Sequence, residues 1–122
     1  MILLVEDEAI TRNALADALR SEGHKVIQAA DGNEALALLQ KSRFDLVITD
    51  LLIPNQSGFV LVTSIRVMWP HMPILLISGH LSPEAGKLVS EGFTEFIHKP
   101  IDPVELVATV KRLLRKSATL KK

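Results

Sequence analysis

Three carboxylates, one hydroxyl and one ammonium end or closely follow short apolar runs at widely separated points of the chain. They belong to Glu6, Asp7, Asp50, Ser78 and Lys99. Carboxylates about 4 Å apart repel each other by roughly 4 kcal/mol at an effective dielectric constant near 20, so three together need a cation to stay ionised. A set of oxygen ligands without histidine or cysteine favours a hard ion, and Mg²⁺ suits a site with few carboxylates plus waters. If these side chains meet, they predict a magnesium site.

Each of these residues also has a purely structural interpretation. Glu6 and Asp7 could cap the first helix, and Asp50 could form an Asx-turn before the proline four residues later. Ser78 could be a turn hydroxyl and Lys99 a surface ammonium. Taken together, the five residues favour a functional site over these separate explanations, provided that the strands that carry them are correctly predicted.

Five runs rich in valine, isoleucine and leucine alternate with segments of helical spacing. The runs cover residues 2–5, 25–29, 45–49, 73–78 and 94–98. Asp31 and Asp102 each precede a glutamate by three residues, which is typical of a helix N-cap, and Gly23 and Gly92 lie where helix C-caps are expected. This alternation predicts a parallel sheet with helices on both faces and right-handed crossovers. Ligand sites in such sheets lie at the carboxyl ends of the strands, where the five polar residues are expected.

Composition limits the class of protein. The chain has 122 residues, of which 48% are hydrophobic and 23% charged, and this predicts one globular domain. The absence of cysteine excludes disulfides and thiolate metal sites, and favours a reducing, cytoplasmic location. No apolar run approaches the roughly 20 residues of a membrane span, so no membrane insertion is expected. The cations of residues 111–122 have no aromatic neighbours, which favours a helix end over a nucleic-acid site.

Four blocks of the sequence resemble the signatures of response-regulator receiver domains. They read "LLVEDE", "DLVITDLLIPNQSG", "PILLISGH" and "FIHKPID", and they occur in the order and at the spacing of that family. The resemblance implies a doubly wound, flavodoxin-like α/β fold with five parallel strands in the order 2-1-3-4-5. The receiver domain would cover residues 1–116, and residues 117–122 would be a basic tail or linker remnant. Asp50 matches the aspartate that accepts a phosphoryl group from a phosphohistidine in a Mg²⁺-dependent reaction.

The resemblance also implies roles for the other residues at the strand ends. Mg²⁺ would be held by Glu6, Asp7, Asp50 and the backbone carbonyl of Leu52. The phosphoryl group would be contacted by Ser78, Gly79 and Lys99. A carboxylate that attacks phosphorus approaches an anion, so a metal ion and an ammonium are needed to neutralise the phosphoryl oxygens. The apolar side chain of Leu52 beside the acceptor predicts slow self-dephosphorylation.

A switch and an output surface follow from the same resemblance. Ser78 and Phe96 would move together on phosphorylation, although Phe96 could instead be a core residue of the fifth strand. The Lys99–Pro100 peptide bond would be cis. The output surface would lie on the fourth helix, the fifth strand and the fifth, C-terminal helix, and would include Lys87, Glu95, Thr109 and Lys111.

The expected partners are those of two-component signalling. The phosphodonor would be a histidine kinase or a histidine phosphotransfer protein. An unknown downstream target would bind the output surface, and a phosphorylation-dependent dimer is a further expectation. Direct binding of nucleic acid by this domain is not expected.

Three other functions are compatible with parts of the pattern. A haloacid-dehalogenase-like phosphatase would need a second aspartate two residues after its nucleophile, where this chain has Leu52. A flavodoxin-like cofactor carrier would need a first loop that binds phosphate, and an acidic loop at residues 6–8 repels it. A pseudoreceiver that never takes phosphate is the remaining alternative, and the complete acidic, hydroxyl and lysine set argues against it. No enzymatic activity is therefore expected beyond self-phosphorylation and self-dephosphorylation.

Overall fold

The computed structural model describes residues 1–52, 58–79, 86–87 and 94–120, with side chains described as far as residue 117. The elements are β1 (Ile2–Val5), α1 (Ala9–Ser21), β2 (Val26–Ala29), α2 (Gly32–Lys41), β3 (Leu46–Asp50), α3 (Gly58–Met68), β4 (Ile74–Ser78), β5 (Thr94–His98) and the C-terminal helix α4 (Pro103–Leu120). Gly86 and Lys87 are also helical. The rest of the helix predicted before β5, with its expected C-cap Gly92, lies outside the described residues, as does Pro54.

The five strands form one parallel sheet in the order β2-β1-β3-β4-β5. This confirms the predicted fold class and strand order. The register places Val5 beside Thr49, Asp50 beside Ile77, and Ser78 beside His98. The carboxyl ends of β1, β3, β4 and β5 therefore lie next to one another at one edge. The chain reverses its direction of winding between β1 and β3, which is the topological switch point of the sheet.

Both faces of the sheet are covered, which explains why the central strands are apolar throughout. Every residue of β1, β3 and β4 is buried. One face packs against α1 and the C-terminal helix, through residues that include Leu19 and Val110. The other packs against α2 and α3, through residues that include Leu39 and Leu61. A strand buried on both sides has no polar face, as is usual in parallel sheets.

Local capping fixes where the helices begin and end. The side chain of Asp31 accepts a hydrogen bond from the Glu34 amide at the start of α2, and Gly23 follows α1 with a φ of +91°. The N-cap of α1 is Glu8, whose side chain accepts from the backbone N–H of Thr11. The interpretation of Glu6 and Asp7 as caps of the first helix is therefore wrong, and both remain available for another role.

The C-terminal helix continues beyond the boundary predicted at residue 116. It extends to Leu120, and Ser117 is buried on the same side of the helix as Leu113, four residues earlier. Ser117 thus packs with the rest of the helix, and the division into a receiver domain and a tail stays a prediction. Within the described part of the chain, no helix is long and apolar enough to cross a bilayer.

Candidate functional site

One ammonium bridges two buried carboxylates at the carboxyl edge of the sheet. Glu6 directly follows β1 and Asp50 ends β3, and the two residues are 1% and 5% exposed. Lys99, directly after β5, places its Nζ 2.9 Å from Glu6 Oε1 and 2.5 Å from Asp50 Oδ2. Side chains that are 49 and 93 residues apart in sequence are thereby brought into direct contact. The structure thus groups three of the residues that the sequence predicted to meet.

Asp50 uses both carboxylate oxygens. Oδ2 accepts from Lys99, and Oδ1 accepts from the backbone N–H of Leu52 at 2.9 Å. The second hydrogen bond is the Asx-turn considered from the sequence, so the structural and the functional interpretations of this residue are compatible. The turn holds the backbone of Leu52 against the carboxylate and limits the orientations of the Asp50 side chain.

Glu6 is buried beside two other charged groups. Its Oε2 atom is buried without a hydrogen-bond partner among the described residues. Burial raises the pKa of the Glu6 carboxyl above its ordinary value, because desolvation outweighs the favourable contact with Lys99. The pKa of Lys99 is also raised. Burial opposes the charged ammonium, but its hydrogen bonds to Asp50 and Glu6 together outweigh that penalty.

The residues fit a magnesium ion in part. Asp7 is exposed, and the described residues contain no group of three acidic, histidine or cysteine side chains that could hold a metal ion by themselves. Mg²⁺ is commonly bound by one or two carboxylates with waters completing its octahedron. Glu6 and Asp50 supply two carboxylates, and Oε2 of Glu6 has no partner within the described part of the chain. The donor set therefore suits Mg²⁺, with Lys99 as the cation already present between the two acids.

Gly58 contacts the end of β3 closely, and the sequence reasoning missed this residue. Its backbone N–H donates to the Leu51 carbonyl at 3.1 Å, which joins the start of α3 to the end of β3. A Cβ atom at this position would lie 2.5 Å from both the Asp50 carbonyl oxygen and Leu51 Cα. Only glycine permits this approach, so Gly58 fixes the backbone that presents the Asp50 carboxylate. The available signal was a single glycine at the end of the block "DLVITDLLIPNQSG".

Ser78 and Gly79 occupy the expected place at the end of β4. Ser78 is buried, and its carbonyl accepts from the backbone N–H of Lys99 at 2.8 Å. Gly79 is exposed, and a Cβ added to it would meet no atom of the described residues within 4 Å. The Lys99–Pro100 peptide bond is cis. The backbones of Ser78 and Lys99 are thus hydrogen-bonded to each other, and Lys99 in turn contacts Asp50.

Phe96 lies partly buried on β5 and packs against the core on the α2 and α3 side of the sheet. Its ring meets His98 edge to face, with the centroids 6.3 Å apart. Core packing, the alternative considered for Phe96, therefore describes its position in this structure. A role in a switch stays a prediction.

The predicted output surface needs one correction. Thr109 is buried, at 5% exposure, because its side of the C-terminal helix faces inward, so it is not available to a partner. Glu95 instead pairs with Arg112 of that helix, and Lys111 lies near Glu22 at the end of α1. Glu95 and Arg112 thus form an ion pair between β5 and the C-terminal helix, whereas Lys111 pairs with a residue at the end of α1.

The family follows from comparison with known proteins. Residues 2–111 match the model of the response regulator receiver domain. The chain belongs to this family. A CheY-like receiver domain protein from Methanospirillum hungatei has a TM-score of 0.90 and 26% identity, with 97% of this chain and 95% of that chain covered. The chemotaxis response regulator CheY4 of Vibrio cholerae has a TM-score of 0.82 and 36% identity, with 92% and 96% covered.

Curated relatives of this receiver domain are longer proteins. The transcriptional regulatory protein GlrR of Escherichia coli is 34% identical over 96% of this chain and 27% of its own length. The aerobic respiration control protein ArcA of Escherichia coli is 32% identical over 98% of this chain and 50% of its own length. The chain thus spans between about a quarter and a half of these relatives. It is a receiver domain of the two-component response regulators.

Proposed function

We propose that this receiver domain accepts a phosphoryl group on Asp50, in a Mg²⁺-dependent transfer from a phosphohistidine of a histidine kinase or a histidine phosphotransfer protein. Phosphorylation then changes the surface of β5 and its flanking helices, where a downstream partner binds or a dimer forms. The ammonium of Lys99 shared between Glu6 and Asp50 is the observation that carries this proposal. A cytoplasmic location, as predicted from the sequence, is part of it.

The contacts of Asp50 are those of a nucleophile that must approach an anion. In the transfer, an Asp50 oxygen forms a bond to phosphorus while the phosphorus–nitrogen bond to the donor imidazole breaks. The electron pair of that bond returns to the imidazole nitrogen. Because Lys99 already contacts Asp50, its ammonium is placed to follow the negative charge onto the phosphoryl oxygens. Ser78 and Gly79 border the same position from β4.

The acidic residues would hold the metal ion. Glu6, Asp7, Asp50 and the backbone carbonyl of Leu52 are the proposed ligands, directly or through water. A Mg²⁺ ion held there would supply positive charge that stabilises the phosphoryl oxygens in the transition state. Asp7 is exposed beside Glu6, which suits a contact made through water.

Exposed apolar side chains on the segments that follow β1, β3 and β5 favour a protein as the phosphodonor. They are Ile10 in the first turn of α1, Leu52 two residues after the end of β3 and Val104 in the first turn of the C-terminal helix, with exposed fractions of 81%, 76% and 76%. All three elements begin at the carboxyl edge of the sheet. Large apolar side chains clustered around a polar site are typical of a protein-docking surface.

The switch would couple Ser78 to Phe96. Phosphorylation adds between about −1.5 and −2 charge and three acceptor oxygens, which attract a nearby hydroxyl such as that of Ser78. Phe96 lies on the neighbouring strand, paired with Leu76 two residues before Ser78. Movement of Ser78 towards the phosphoryl group would open space beside this ring, and Phe96 would repack.

Intact-mass analysis after incubation with acetyl phosphate tests the proposal. We expect a gain of one phosphoryl group that requires Mg²⁺ and is absent in Asp50→Asn. Asp17→Asn, an exposed aspartate on α1, is the matched control and should be labelled like the wild type. Absence of both labelling and Mg²⁺ binding in the wild type would contradict the proposal and favour the pseudoreceiver. Labelling that persists in Asp50→Asn would assign the acceptor to another residue.

A further inference from the structure

Arg12 of α1 forms hydrogen bonds with the loop that carries Glu6 and Asp7. Its Nη1 donates to the backbone carbonyl of Glu6 at 2.8 Å and to that of Asp7 at 3.4 Å. Its Nε donates to Oε1 of Gln28, on the neighbouring strand β2, at 3.1 Å. The half-buried guanidinium thus ties two consecutive acidic residues of the loop to a rigid element of the sheet.

The backbone of Glu6 is fixed on both sides as a result. Its N–H donates to the Ala29 carbonyl at 3.1 Å, and its own carbonyl accepts from Arg12. The next residue but one, Glu8, uses its side chain to cap α1. The main chain is therefore held by neighbouring elements, while Asp7 keeps an exposed carboxylate and Glu6 keeps one carboxylate oxygen that no described residue contacts by a hydrogen bond.

We propose that Arg12 is a positioning residue for the magnesium site. It does not touch the metal ion. It holds the backbone of Glu6 and Asp7 so that their carboxylates are already oriented when the ion arrives. The planar guanidinium suits this task because it donates to several acceptors in fixed directions at once. Its positive charge behind three consecutive acids also reduces their mutual repulsion. This role rests on the proposed Mg²⁺-dependent phosphorylation.

Arg20 provides a matched control within the same helix. Its Nη2 donates to the Val26 carbonyl at 2.8 Å, so it too joins α1 to β2, but at the opposite end of that strand from the acidic loop. Removal of either arginine deletes a guanidinium and its hydrogen bonds between the same two elements. A purely structural role of Arg12 therefore predicts the same behaviour for both variants, whereas a positioning role does not.

Calorimetric titration of the full chain with Mg²⁺ separates these two roles. We expect Arg12→Ala to weaken the Mg²⁺ affinity by about tenfold, as is typical when a group that orients metal ligands is removed. Arg20→Ala should keep the wild-type affinity, although both variants should unfold at a lower urea concentration. Gln28→Ala removes only the acceptor of the hydrogen bond from Arg12 Nε, and should weaken Mg²⁺ binding less than Arg12→Ala does.

A second measurement uses labelling by acetyl phosphate at increasing Mg²⁺ concentrations. In Arg12→Ala the half-saturating Mg²⁺ concentration should rise by the same factor, while the rate at saturating Mg²⁺ stays close to that of the wild type. Arg12→Lys keeps the positive charge but loses the planar guanidinium. Its half-saturating Mg²⁺ concentration should lie between those of the wild type and Arg12→Ala. Equal Mg²⁺ affinities in Arg12→Ala and Arg20→Ala would overturn the positioning role. Absence of Mg²⁺ binding in the wild type would instead overturn the proposed function.

Discussion

Replacement of Gly58 by alanine tests the close approach between the start of α3 and the end of β3. The added Cβ would lie 2.5 Å from the Asp50 carbonyl oxygen and from Leu51 Cα, whereas ordinary contacts of a Cβ begin near 3.4 Å. The difference, 3.4 minus 2.5, requires a displacement of about 0.9 Å between α3 and the end of β3. Both contacts are with backbone atoms, so no side-chain rotation can relieve them.

The expected cost is set by two opposing effects. Overpacking of this kind destabilises a protein by about 1–3 kcal/mol. Alanine in place of glycine favours a helix by up to about 1 kcal/mol, which offsets part of that cost. We expect a net loss of about 1–2 kcal/mol in the free energy of unfolding. Because a displacement near 1 Å can slow a reaction by about 100-fold, labelling of Asp50 by acetyl phosphate should also fall strongly.

Gly86→Ala is the control for this prediction. Gly86 is helical as well, but a Cβ added to it would meet nothing within 4 Å in the described part of the chain, so the substitution should leave stability unchanged or raise it. Urea unfolding of both variants and the wild type measures the difference. If Gly58→Ala were as stable as Gly86→Ala and still labelled at the wild-type rate, the inferred close approach would be refuted.

Three further predictions concern the charged site and its surroundings. Lys99→Met should lower the free energy of unfolding in Mg²⁺-free buffer by about 1–3 kcal/mol, because it leaves Glu6 and Asp50 without their shared cation. Added Mg²⁺ should restore part of this loss. A variant as stable as the wild type would contradict the ion pairs of Lys99 with both acids. Burial raises the pKa of Glu6, so the folded state binds a proton on the Glu6 carboxyl more tightly than the unfolded state does. The stability of the wild type relative to Glu6→Gln should therefore fall as pH rises above about 4.5 in Mg²⁺-free urea titrations, and a difference that does not change with pH would contradict the burial effect. Leu52→Asn should shorten the lifetime of the phosphoryl group, measured by mass after removal of the phosphodonor, because a polar side chain next to Asp50 can orient the attacking water; an unchanged lifetime would refute the role of Leu52.

The sequence predicted the strand ends well because their signal is local. An apolar run that stops at a polar residue marks the end of a buried strand, and parallel strands bring such ends to one edge. Asp50 and Lys99 could therefore be assigned to the same edge from the order of residues alone. The strand order came from the family resemblance, since alternation of strands and helices permits several orders.

The features that were missed depend on distances between elements. Gly58 matters because the start of α3 lies against the end of β3, and no pattern along the chain encodes that separation. Arg12 looks like any arginine on an amphipathic helix until its guanidinium is seen at the Glu6 carbonyl. The contact of Lys99 with Glu6 as well as Asp50 depends on the side-chain conformation. The inward orientation of Thr109 depends on how the C-terminal helix is rotated about its axis.

The lysine between the two acids gives the domain a built-in counter-ion. Without a bound metal ion, the buried carboxyl groups of Glu6 and Asp50 still have a positively charged partner, because Lys99 contacts both. We therefore expect the domain to fold without a bound metal ion, in contrast to small domains that unfold when their metal is removed. Any incoming cation must compete with an ammonium that is tethered to the chain. Under the proposed function, this competition favours weak, reversible binding of Mg²⁺, and the sheet around the site keeps its structure as the phosphoryl group is added and removed.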